Sequence, residues 1–94
     1  VTPNDIITKI SNIYDVSVED IISKSRQSKV VTPRFVAMYL IRKLTDMTTT
    51  DIGKQFGDRD HSTVVNAINK IEEDMKNDIE FREQMDELKV ELRS

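Results

Sequence analysis

The 94-residue chain has no cysteine and no tryptophan, only two glycines and two prolines, and a single histidine. Without cysteine there is no disulfide framework and no thiolate metal site. One histidine makes no zinc site unless several carboxylates converge on it. The scarcity of glycine and proline leaves long stretches open to helix, and strand signals amount to little more than Val30-Val31 beside turn residues. No apolar run approaches the ~20 residues that a membrane span needs, and none of these residues is expected to form a signal peptide. A phosphate-cradling G-x-x-x-x-G-K-[ST] run is missing too, so these residues are expected not to bind ATP.

What is there is 37% hydrophobic and 33% charged residues. That suits one helical domain of modest core spanning residues 1–94. The chain opens at Val1 rather than Met and is read as a piece of something longer. A net charge of −3 speaks on its face against nucleic acid. The distribution reverses this. Residues 23–45 carry Lys24, Arg26, Lys29, Arg34, Arg42 and Lys43 and no acid, while the segments on either side are acidic. A local cationic strip is a directional footprint, although such a run is also compatible with a merely solvated face.

Taken in order, Thr2-Pro3 predicts a helix start, a capping hydroxyl followed by proline. Ile6, Ile7, Ile10, Ile13 and Tyr14 form its apolar stripe. Ser17 starts a short second helix that ends near Ser23. Lys24 to Val31 has no helical stripe and reads as a basic loop. Such a loop either lies over phosphates, using Lys24 and Lys29, or places Arg26 in a minor groove. Thr32-Pro33 predicts the start of a buried third helix with Val36, Ala37, Leu40, Ile41 and Leu44 inward. Arg34, Arg42 and Lys43 are left for its outside; Arg34 and Arg42 share a face and suit one phosphate strand. Thr48, Thr49 or Thr50 caps the next helix, whose start is a ready phosphate site.

Thr49 to Phe56 and the segment from His61 onward are two helical patterns joined by Gly57-Asp58-Arg59-Asp60. Val64, Ile68, Ile71 and Met75 recur at helical spacing in the second. Helix, short glycine-containing turn, helix is the helix-turn-helix pattern. Its second helix would offer its first residues to base edges in a major groove. Arg59 has donors for guanine or a phosphate, and Asp60 is the expected N-cap, which alone would explain it. A last helix, Ile79 to Leu92, sets Phe81, Met85, Leu88 and Leu92 on one face and acids on the other.

The run Gly57-Asp58-Arg59-Asp60-His61-Ser62-Thr63-Val64 resembles the signature of the DNA-binding domain of the bacterial replication initiator family DnaA. Pro33-Arg34, Ala37-Met38-Tyr39-Leu40 and Arg42-Lys43-Leu44-Thr45 resemble that family's central helix, and Ser23-Lys24-Ser25-Arg26 its basic loop. The resemblance implies an all-α, six-helix domain built on a helix-turn-helix, binding double-stranded origin boxes of about nine base pairs. It implies that Arg26 enters the minor groove, that Asp60 accepts from a cytosine amino group, and that His61 and Ser62 touch base edges. Arg34, Arg42 and Thr63 take phosphates in that reading. It further implies a cytoplasmic, nucleoid-associated bacterial protein with an ATPase module elsewhere, using ATP and magnesium. Other copies of the initiator would assemble through segments absent here. No cofactor is expected in these residues.

The sequence departs from the family at several points. Asp58 replaces a usual glycine, Thr50 a proline, Phe35 a glutamine and Ser62 a threonine, and Ser25 and Ser28 make the loop less basic. Weaker non-specific binding with base preference kept is the expectation. Catalysis is not expected: Asp60, His61 and Ser62 are consecutive, so on a helix they point about 100° apart and cannot converge as a relay. Two readings stay open beside replication: a helix-turn-helix transcriptional regulator, and a helical module that docks another protein.

Overall fold

Six α-helices and no strand make up the computed structural model, which describes residues 1–94. The first, α1 (Pro3–Tyr14), opens on a capping box. Thr2 Oγ1 accepts from the Asp5 amide at 3.1 Å, and the Thr2 amide donates to Asp5 Oδ2 at 3.0 Å. Reciprocal bonds of this kind settle the amides at a helix start. They hold the Asp5 carboxyl below the usual aspartate range. A left-handed residue, Asp15, ends the helix, and α2 (Val18–Ile22) follows after a cap by Ser17 Oγ on the Asp20 amide.

The central helix, α3 (Ser28–Leu44), begins four residues ahead of the Thr32-Pro33 start expected from the hydroxyl-proline pair. The amides of Val30 and Val31 both donate to the Gln27 carbonyl, at 2.9 and 3.0 Å, and Val30 is buried. Pro33 falls in the second turn, where it forfeits only the bond to the Lys29 carbonyl. Burial of Val30 compensates for that loss. The basic loop therefore shrinks to residues 23–27, and Lys29 rides on the first turn of a helix.

α3 packs against every other helix, with Val36, Ala37, Leu40 and Ile41 fully buried at its centre. α4 (Thr49–Gln55) and α5 (His61–Asn77) lie against it and each other, and α6 (Ile79–Arg93) buttresses α5 and α3. Ile6, Ile10, Ile52, Phe56, Val64, Ile71 and Met85 complete the interior. Ile13, expected in the apolar stripe of α1, is instead 49% exposed. Only Ile6, Ile7 and Ile10 of that stripe are buried, because α3 and α2 cover a narrower face than the pattern offers. Exposed ion pairs, Lys9 to Glu91 at 3.0 Å and Lys43 to Glu72 at 3.6 Å, span helices but contribute little. No helix is long and apolar enough to cross a membrane.

Candidate nucleic-acid interface

The turn between α4 and α5 is tight because two successive residues are left-handed, Gly57 at φ 77° and Asp58 at φ 62°. Aspartate tolerates that region better than most side chains, so Asp58 fits where glycine would be freer. The Arg59 amide donates to the Gly53 carbonyl at 2.8 Å. The Arg59 carbonyl lies 2.1 Å from where a Cβ on residue 53 would sit, so only glycine lets α4 approach the turn this closely. Sequence reading passed over Gly53; a glycine inside a helical pattern was the available signal.

Asp60 occupies the N-cap of α5 in extended conformation, yet its carboxylate makes no capping bond. Oδ1 lies 3.0 Å from His61 Nδ1 instead, with the two side chains 70% and 62% exposed. Engaging Nδ1 leaves Nε2 for an outside partner. Ser62 is exposed and Thr63 half-buried. His61, Ser62, Val65, Asn66 and Asn69 form one exposed stripe, while Val64, Ala67, Ile68 and Ile71 anchor the opposite face. Val65, an exposed valine in that stripe, was not singled out from the sequence.

Helix starts divide into two groups. α1, α2, α4 and α6 each have a side chain bonded to a first-turn amide and an acid in the first turn. α3 and α5, the two longest, have neither. Their first amides and the positive ends of their dipoles are open to an outside anion. Of the three threonines expected to cap α4, Thr48 is the one, its hydroxyl accepting from the Asp51 amide at 3.1 Å. Thr50 is exposed beside it.

The basic loop is tied to the turn. Arg59 Nη2 donates to the Ser23 carbonyl at 2.8 Å and Nε to the Phe56 carbonyl at 3.1 Å. Arg26 is three residues from Ser23, a reach of at most ~11 Å, and His61 two from Arg59. The loop and the start of α5 thus share one edge of the molecule. Lys24, Arg26 and Lys29 are exposed and take part in none of the ion pairs.

Arg34 corrects the reading of the strip. Expected outside beside Arg42, it is 2% exposed. Its guanidinium donates to the carbonyls of Ile21 (2.7 Å), Ser25 (2.7 Å) and Asp20 (3.1 Å). Burial, and then the neighbouring charge of Arg59, lower its pKa. The end of α2 supplies carbonyls that only a cation with several directed donors satisfies together. Arg34 therefore has almost no surface to offer a phosphate, and it does not share an outer face with Arg42. Arg42 is exposed, with Nη1 on the Met47 carbonyl at 2.8 Å. Lys70 is held by Asp74 at 3.0 Å, a bond that raises its pKa.

Residues 3–71 match the family model for the bacterial dnaA protein helix-turn-helix. The chromosomal replication initiator proteins DnaA of Rickettsia canadensis (strain McKiel) and Rickettsia rickettsii (strain Sheila Smith) are each 45% identical over 85 residues. That is 90% of this chain and 18% of theirs, so the chain spans under a fifth of these relatives. A solved structure described as that of a DNA replication initiation factor superposes with a TM-score of 0.84 at 34% identity. The match covers 93% of this chain and 26% of that one.

Proposed function

The chain belongs to the bacterial DnaA helix-turn-helix family as a DNA-binding domain, and from that premise we propose that it reads double-stranded origin boxes through two grooves at once. α5 enters the major groove with Asp60, His61 and Ser62 at base edges and Val65 one turn behind, suited to a thymine methyl. Arg26 enters the adjacent minor groove. Lys24, Lys29, Arg42, Thr48, Thr50 and Thr63, with the open helix starts of α3 and α5, take phosphates. The residues hold no ATPase module; in this reading they give a longer initiator its address on DNA. ATP, magnesium and contacts between copies belong to segments outside them.

The observation that supports this most is the bond from Arg59 to the Ser23 carbonyl. It sets an unpaired cationic loop beside an uncapped, polar helix start, on a common edge. The acids of α6 lie on a different helix, one that packs on α5 and α3. The test is a titration of the 94-residue chain with an origin-box duplex and a scrambled one, each at two salt concentrations. Each neutralised phosphate releases a counterion, so affinity must fall steeply with salt, and the box must win over the scramble. Equal affinity for both duplexes removes the origin-box reading; absent or salt-insensitive binding removes the DNA interface.

The docking-module reading has one observation in its favour. A groove of about 530 Å³ between α1 and α6 is lined by Ile13, Tyr14, Met85 and Leu88 among polar residues. The same titration separates it from the DNA reading.

A further inference from the structure

We propose that Arg59 is a positioning residue that couples the minor-groove loop to the major-groove helix, so that the two contacts are made as one rigid unit; this rests on the DNA-binding reading above. Its guanidinium bridges two segments far apart in the chain, Ser23 at the root of the loop, 36 residues before Arg59, and Phe56 at the end of α4. Its own amide is held by Gly53. The turn backbone also meets the end of α2 directly: a Cβ on Gly57 would lie 3.1 Å from the Ile22 carbonyl. Behind the loop, Arg34 binds three carbonyls from Asp20 to Ser25.

Two guanidiniums thus converge on one stretch of backbone with no acid paired to either. Like charges at close range repel, and this arrangement survives only because five carbonyls face the pair. A planar fork can hold two carbonyls in fixed directions; an ammonium on a flexible stem cannot. Arg59 commits Nε and Nη2 to backbone, and in this proposal its effect on DNA passes through the placement of Arg26. The spacing of the two contacts along the duplex is set by this bridge. It gives the domain a preference for box length that no base contact supplies.

The experiment is a double-mutant cycle on the 94-residue chain with Arg59→Ala, Arg59→Lys, Arg26→Ala and the Arg26→Ala pair combinations. Affinities are read on the box, on a scramble, and on boxes with one base pair inserted or removed between the minor- and major-groove parts. Coupling predicts that Arg26→Ala costs about tenfold or more in the parent and under about twofold when Arg59 is Ala or Lys. It also predicts that both Arg59 variants lose the penalty against altered spacing. Additive losses, or a spacing penalty that persists, overturn the proposal. So does a loss confined to one G·C pair, which would make Arg59 a base reader.

Amide hydrogen exchange of residues 24–27 without DNA supplies an independent readout. Coupling predicts at least about tenfold faster exchange in Arg59→Lys, with α1 and α6 unchanged; unaltered exchange overturns it. This measurement decides the coupling even if the parent chain fails to bind DNA, an outcome that would sink the DNA reading alone. It also serves if Arg59→Ala does not fold, since Arg59→Lys keeps the charge and stem.

Discussion

Arg34 donates from Nη1 to the Ser25 carbonyl at 2.7 Å, so the residue immediately before Arg26 is fastened from inside the protein. A buried cation on the central helix thereby shapes an exposed loop. Mutations at these two arginines should have opposite signatures.

Arg34→Ala is expected to act on folding. It strands three carbonyls and leaves a void beside α2, a loss of roughly 2–4 kcal/mol by the usual cost of unmade bonds to a buried charge. In a chain of this size that lowers the unfolding midpoint by roughly 10–20 °C. Arg34→Lys should recover little, since one ammonium cannot satisfy the same carbonyls. An unchanged midpoint with a flattened salt slope would instead return Arg34 to the phosphates.

Gly53→Ala should destabilise the turn. The new methyl, fixed on the α4 backbone, meets the Arg59 backbone carbonyl at 2.1 Å, and neither side can give way cheaply. Overpacking of this kind costs roughly 1–3 kcal/mol. The affinity for a box should fall further than stability alone explains, because α5 is re-aimed; thermal melts compared with duplex titrations check both parts.

Base readers and phosphate binders separate by specificity. His61→Ala or Asp60→Ala should cost roughly 1–3 kcal/mol on the cognate box and little on random DNA. Arg42→Ala should weaken all sequences alike and reduce the salt slope by about one. Loss shared equally by both duplexes at His61 and Asp60 would move them out of the readout, as a sequence-selective loss at Arg42 would remove its phosphate role.

The capping box of α1 makes stability depend on acid. The Thr2 amide and hydroxyl hold the Asp5 carboxyl ionised below its usual range. A depressed carboxyl stabilises the fold above the ordinary aspartate pKa, and that contribution is lost as pH falls through the lowered value. Asp5→Asn should therefore unfold at a lower temperature than the parent near neutral pH. The gap should close as the pH is taken down past the ordinary aspartate value and through the lowered one. A gap that stays constant with pH would mean that the carboxylate charge is immaterial to the cap.

Most helices were legible from neighbouring residues. Thr2-Pro3 and Ser17 mark starts that the structure keeps, and the anchors of α5 and α6 recur at helical spacing and are buried or half-buried as expected. The third start lies ahead of Thr32-Pro33 although that pair is as good a local signal as Thr2-Pro3, because burial of Val30 outweighs it. Asp60 was legible as an N-cap position but not in its bond to His61, since a carboxylate has several donors in reach and the chain alone does not rank them.

Local periodicity determined the helices, their inward faces and the polar first turn of α5, because each depends on residues within about one or two turns of one another. The fate of the arginines was decided by tertiary structure alone. Arg34 and Arg42 look alike along the chain, and they part because the end of α2 brings unpaired carbonyls to one and not to the other. A cation goes inside only where donors and acceptors from distant segments meet it, and that meeting is written in the packing of helices, not in their order.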